Sequence, residues 1–168
     1  MTSKPKTPQQ HVTWCMKQKR GIKLEEPNNN LCNVYLKKAK SALNMLNAAI
    51  EKEEIDWIAT TAYYARYFAF YAILQKCGIT SEIHDCTLSL FHTLLVEEKL
   101  IEERLYTEFE AAKELRVNAQ YYVTEELDKE QLKNDAKTAS NFVLNMEELN
   151  EKITEKHITT LRTRLQPK

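Results

Sequence analysis

Two glycines and four prolines among 168 residues are too few to punctuate a β architecture, which needs turn residues about every 8–12 positions. The same scarcity excludes a glycine-rich phosphate loop, and with it kinase-like and Rossmann enzymes. The four cysteines, Cys15, Cys32, Cys77 and Cys86, contain no Cys-x-x-Cys pair and no histidine at finger spacing. No zinc site, no other metal and no cofactor is therefore expected. Residues 1–10 lack an apolar run, so no signal peptide is expected, and the cysteines read as reduced thiols of a cytoplasmic protein. A charge-free hydrophobic run is also missing. The most apolar stretch, Ala59–Leu74, contains Arg66 and the hydroxyls of Thr60, Thr61, Tyr63 and Tyr64, which argues against a membrane span.

What the chain does have is a 43% hydrophobic fraction, enough for a real core and against global disorder. Formal net charge is zero but unevenly spread. Residues 1–23 carry Lys4, Lys6, Lys17, Lys19, Arg20 and Lys23 without an acid, and residues 152–168 hold five cations against Glu155 alone. Such basic ends either touch nucleic-acid phosphates or are solvated tails.

Hydrophobic periodicity predicts helices throughout. Ala59–Leu74 is apolar on every side of a helical wheel, as in a helix at the centre of a bundle. Residues 1–27 read as an irregular basic extension, with a short helix at His11–Lys19 and Trp14 capping the bundle surface. Pro27-Asn28-Asn29-Asn30 is a helix-start signal. From there Cys32, Tyr35, Leu36, Ala39, Leu43, Leu46 and Ile50 predict an amphipathic helix ending near Glu51–Glu53. The central helix runs from about Ile55, with Trp57 as an edge-of-core anchor, to Cys77-Gly78, where glycine suits a left-handed exit. A third helix, capped by Thr80 or Ser81, carries Ile83, Leu88, Leu90, Phe91, Leu94 and Leu95. A fourth runs from near Leu100 to about Tyr122. After Thr124–Asp128, a fifth carries Leu132, Ala136, Ala139, Val143, Met146 and Leu149. Ile153, Ile158, Leu161 and Leu165 prolong an apolar face into a basic extension at 151–168. The expected fold is all-α, an up-and-down bundle of four to five helices over residues 28–150.

Several signals occur in a telling order: Ala62-Tyr63-Tyr64-Ala65-x-Tyr67-Phe68, a short connection with His84, Leu115-Arg116-Val117-Asn118-Ala119-Gln120-Tyr121-Tyr122, and a last helix with Ala136, Ala139, Asn141, Phe142 and Val143. Over roughly residues 30–150 the chain resembles the HEPN superfamily, within it the small prokaryotic members of Arg-x4-Asp-Tyr type. That resemblance implies a helical bundle like the substrate-binding subunits of nucleotidyltransferases, usually a homodimer, often with a small nucleotidyltransferase as partner. Many relatives are RNA-cleaving toxins, and others are catalytically silent binding partners. The nuclease members use an Arg-x(4–6)-His motif. Arg116 falls on the family arginine, whereas Tyr121 stands where the histidine would be and Gln120 where relatives often carry Asp.

Metal-free RNA cleavage needs a base for the 2′-hydroxyl and a group that stabilises charge on the phosphate. Arg116 suits the second task. A tyrosine, with an ordinary pKa of about 10, is a poor base, though Tyr121 can donate a hydrogen bond or stack on a base. Five helical residues turn by roughly 500°, so Arg116 and Tyr121 share a pocket only where the helix ends or the pocket wraps around it. The alternative for Arg116 is an ion pair with Glu110, Glu114 or a carboxylate of another helix or subunit. His84, at a helix start, and Tyr64 join Arg116 and Tyr121 as candidate nucleotide- or RNA-binding residues. Of Tyr63 and Tyr64, one is expected in the core and one at a cleft. Arg66 must find a carboxylate or solvent and is a candidate for an inter-helix or dimer ion pair, and His92 receives no role. Three functions remain open: a binding or nucleotidyltransferase-partner protein of toxin–antitoxin type, a ribonuclease built on Arg116 with Tyr121 or His84, and a structural dimerisation module.

Overall fold

The computed structural model describes residues 7–121 and 129–166. The expected Thr124–Asp128 connection, Tyr122, and the terminal cations Lys4, Lys6 and Lys168 lie outside the described residues. The described residues form seven α-helices, in order α1 (Pro8–Met16), α2 (Asn29–Glu51), α3 (Ile55–Lys76), α4 (His84–Phe91), α5 (Glu103–Tyr121), α6 (Lys129–Lys152) and α7 (Glu155–Thr163). Two short strands, β1 (Lys23–Leu24) and β2 (Ile79–Thr80), pair antiparallel with Lys23 opposite Thr80. The architecture is the expected all-α bundle.

Helix α3 is the centre. It packs against α2, α5 and α6, and its buried residues lie on all sides, as an all-round apolar helix must. Phe70, Phe91, Phe109 and Phe142, from four successive layers of chain, meet at ring distances of 4.8–6.4 Å. The start of α2 follows its cap: the Asn28 side chain accepts from Leu31 N–H at 2.9 Å, satisfying a donor that the helix leaves free. Ile50, expected on the buried face of α2, is instead exposed, and Ala49 takes the inward position.

Both glycines sit where a side chain would collide. Gly78 has φ +65°, and a Cβ there would lie 2.3 Å from the Glu25 carbonyl oxygen; a Cβ at Gly21 would lie 1.8 Å from that of Cys15. The first brings the N-terminal segment against the exit of α3, where Glu25 N–H donates to the Gly78 carbonyl, and the second turns the chain tightly behind α1.

Several expectations need correction. The N-terminal helix begins at Pro8, three residues early, because the Thr7 side chain caps it by accepting from Gln10 N–H. The third helix starts at His84, without Thr80 or Ser81 as its cap: Thr80 is drawn into the strand pair, and Ser81 receives Ile83 N–H. Past Phe91 that helix widens into a π-helical turn, His92–Val96. The fourth begins at Glu103 rather than near Leu100. Trp57 is no core anchor, being 60% exposed.

The basic ends are not solvated tails over their described residues. Val12, Cys15, Ile22, Ile158, Leu161 and Leu165 are buried in the same apolar cluster as α3. Arg162 donates to the carbonyls of Glu25, Cys77 and Gly78 at 2.8–2.9 Å, Arg164 pairs with Glu97 and Glu98, and Arg20 pairs with Glu82. Nor are all thiols reduced: Cys15 on α1 and Cys86 on α4 form a disulfide across 71 residues, because these two helices pack side by side. Cys32 and Cys77 are free and buried, and burial pushes their thiols up, Cys77 to about 12.

Candidate functional site

The nearly charge-free helix α3 and the charge-rich helix α5 each carry an arginine that faces the seam between helices, Arg66 and Arg116, and the two behave oppositely. Arg66 is fully buried. It donates to Glu108 Oε1 from Nε and Nη2 at 3.1 and 2.9 Å, to the Ala62 and Asp135 carbonyls, and to Thr138 Oγ1, and it pairs with Asp135 Oδ1 at 3.0 Å. Of the partners its sequence context left open, Arg66 thus takes carboxylates of neighbouring helices. Burial outweighs the Arg66 charge at Asp135, and with Glu108 adding repulsion the carboxyl is raised to about 6.

Arg116 has no such partners. Neither Glu110 nor Glu114 pairs with it, and among the described residues it makes no ion pair. Its guanidinium instead stands over two aromatic rings of α3, 5.2 Å from the centroid of Tyr63 and 5.3 Å from that of Tyr64, where the ring quadrupoles attract a cation. Among the described residues its one side-chain hydrogen bond is a long one, 3.5 Å from Nη2 to the Tyr64 hydroxyl, and its buried Nε has no partner.

Tyr63 connects this arginine to His84. The Tyr63 hydroxyl and His84 Nδ1 share a hydrogen bond of 2.7 Å. The imidazole stacks on Tyr67 at 4.4 Å between centroids, with the planes 13° apart. Burial lowers the His84 pKa, and the Arg116 charge lowers it further, so the ring is neutral at pH 7. Burial also drives the Tyr63 phenol well above its ordinary range and lifts Tyr67 to about 12; both keep their protons. Lys113, one turn before Arg116 on α5, pairs with Asp85 beside His84. Of the two neighbouring tyrosines, Tyr63 is the core residue and Tyr64 the half-buried one.

The structure therefore brings Arg116, Tyr64 and His84 together around Tyr63. It does not bring Tyr121 to them. Tyr121 is 68% exposed and lines a separate open cleft of about 460 Å³ with Asp56, Trp57, Thr60, Ala119 and Gln120. Gln120 donates to Thr60 at 3.3 Å. Because Thr60 and Gln120 lie one turn from Tyr64 and Arg116 on the same two helices, that cleft adjoins the arginine along the α3–α5 seam. Tyr67 and Lys113 are the residues that sequence reasoning missed. Tyr67 was legible as part of the aromatic run, but its stacking on His84 depends on where α4 begins.

No described helix is long and apolar enough to cross a membrane. No curated protein matches the chain. The family model of the HEPN domain matches residues 32–153, which covers α3, α5 and the whole Arg116 cluster, and the chain belongs to that family.

Proposed function

We propose that this HEPN-domain protein is a cytoplasmic, homodimeric binding protein that recognises a nucleotide or an RNA phosphate at Arg116, as a non-catalytic or nucleotidyltransferase-partner component of a toxin–antitoxin type system. One contrast carries the reading. Arg66 in the same chain is held by a full set of protein groups, whereas Arg116 rests on aromatic faces with, among the described residues, its charge unpaired and its Nε unpartnered. A planar guanidinium positioned without a carboxylate is suited to an incoming phosphate. Trp57 and Tyr121, exposed one turn further along the seam, offer faces for a base to stack on.

The ribonuclease reading has one observation in its favour. His84, its pKa lowered by burial and by the Arg116 charge, and Arg116 both contact Tyr63, so a base and a phosphate-stabilising cation flank the same tyrosine. Against it, the Nδ1 of that imidazole is engaged by Tyr63.

Titration of mononucleotides and of a labelled RNA into wild type and Arg116→Ala tests the proposal. A charge-assisted hydrogen bond is worth about 1.5–3 kcal/mol, so the variant should bind roughly 10- to 100-fold more weakly. Absence of any affinity in the wild type leaves the structural dimerisation module as the function. Cleavage of end-labelled RNA that survives EDTA and disappears in Arg116→Ala and His84→Ala makes the protein a ribonuclease instead.

A further inference from the structure

A second convergence of reactive side chains lies on the far side of α4. The ligand atoms of His11, Cys15 and Cys86 all fall within 4.8 Å of one another. His11 and Cys15 are one turn apart on α1 and so share a face, while Cys86 arrives from α4 with its Cα 5.8 Å from that of Cys15. Both cysteines are fully buried, and His11 is half-buried between them and solvent.

The hydrogen bonds determine which nitrogen of His11 is available. The Ser89 hydroxyl donates its single proton to the Asp85 carbonyl at 3.1 Å. With that proton so committed, the 2.7 Å contact with His11 Nδ1 is the one that the Nδ1–H tautomer makes, the hydroxyl oxygen accepting. In the neutral ring Nε2 therefore carries the lone pair, and Nε2 is the atom that faces Cys15 Sγ, 3.9 Å away. Trp14 stacks on the same ring at 5.4 Å with the planes 9° apart, holding it in that orientation. An imidazole fixed through one nitrogen with the other aimed at two sulfurs is the arrangement that metal-binding histidines use.

We propose that His11, Cys15 and Cys86 form a zinc site when the disulfide is reduced. A dithiol reductant supplies two electrons and two protons, the Cys15–Cys86 S–S bond breaks, and the reductant leaves as its own disulfide. Zn²⁺ then displaces the two thiol protons, giving two zinc–thiolate bonds and one zinc–imidazole bond, with water in the fourth position. Thiolate and imidazole together favour zinc over the hard cations. Two thiolates also neutralise its charge, which suits a buried place with no carboxylate among the three ligands. Disulfide and zinc exclude each other, so the metal content reports the state of the thiols.

The test uses the full chain, reduced with a phosphine without oxygen, dialysed against zinc sulfate and assayed for metal, beside an oxidised sample. One zinc per reduced chain and none per oxidised chain is expected, and cobalt in its place should give thiolate-to-metal charge-transfer absorption. Cys86→Ser and His11→Ala should lose the metal, whereas Cys32→Ser and Cys77→Ser should keep it. Ser89→Ala removes no ligand, yet it should weaken binding about 10-fold, an effect that a merely structural serine would not have. Reduced wild type without zinc, or zinc that stays in Cys86→Ser, overturns the proposal. If circular dichroism shows that Cys86→Ser does not fold, the cobalt spectrum of reduced wild type and the Ser89→Ala affinity decide.

Discussion

Two arginines on neighbouring helices have opposite surroundings, one ringed by carboxylates and carbonyls and one lying on aromatic faces. The Arg66 network contains Asp135, whose Oδ2 is buried without a partner and whose carboxyl is raised from 3.8 to about 6. The folded state thus holds this proton more tightly than the unfolded chain. Its contribution to stability is full below about pH 4 and is lost as pH rises through about 6. Asp135→Asn cannot titrate. Between about pH 4 and pH 7.5 the stability of the variant relative to wild type should rise, by on the order of 2 kcal/mol. Denaturant melts across that range check it, and a difference independent of pH would mean that Asp135 titrates normally. The roughly 500° that five helical residues turn left it open whether Arg116 and Tyr121 share a pocket where the helix ends, and in the structure Tyr121 points to the neighbouring cleft. What the sequence left open was the alternative to an ion pair, since nothing in the spacing says that Arg116 meets two rings rather than Glu110 or Glu114.

At the scale of elements, boundaries were legible where a local signal acts alone. Asn28 caps α2 and Gly78 ends α3, as their residue types demand. The start of α4 was misread because Thr80 and Ser81 are good caps that tertiary structure uses otherwise, one in the strand pair and one in a turn with Ile83. The π-helical turn at His92–Val96 has no counterpart in the periodicity, which cannot distinguish one extra residue in a buried run. Gly78 is the element-level position most sensitive to change. Gly78→Ala would place a Cβ in a left-handed conformation, against the Glu25 carbonyl and the Arg162 guanidinium. A loss of about 1–2 kcal/mol from the backbone alone is expected, with more from the collision; an unchanged melting temperature would mean that the exit of α3 can rearrange.

The whole molecule is organised more tightly than its charge distribution suggests. The two basic ends, read as appendages, converge on the exit of α3, where Arg162 ties residues 25, 77 and 78 together. Among the described residues, their three arginines pair with carbonyls and with Glu82, Glu97 and Glu98, so these cations act within the fold rather than as a tail. The pairing of Cys15 with Cys86 was illegible for a related reason: partners 71 residues apart leave no trace in local spacing. That bond also has a topological consequence. It turns residues 15–86 into a covalent ring that contains all of α2 and α3. A protease cut at the connection 52–54 would open the ring without dividing the molecule, so the protein should run as one band in denaturing gels until a reductant is added and then as two. A cut at 97–102, outside the ring, should yield two bands with or without reductant.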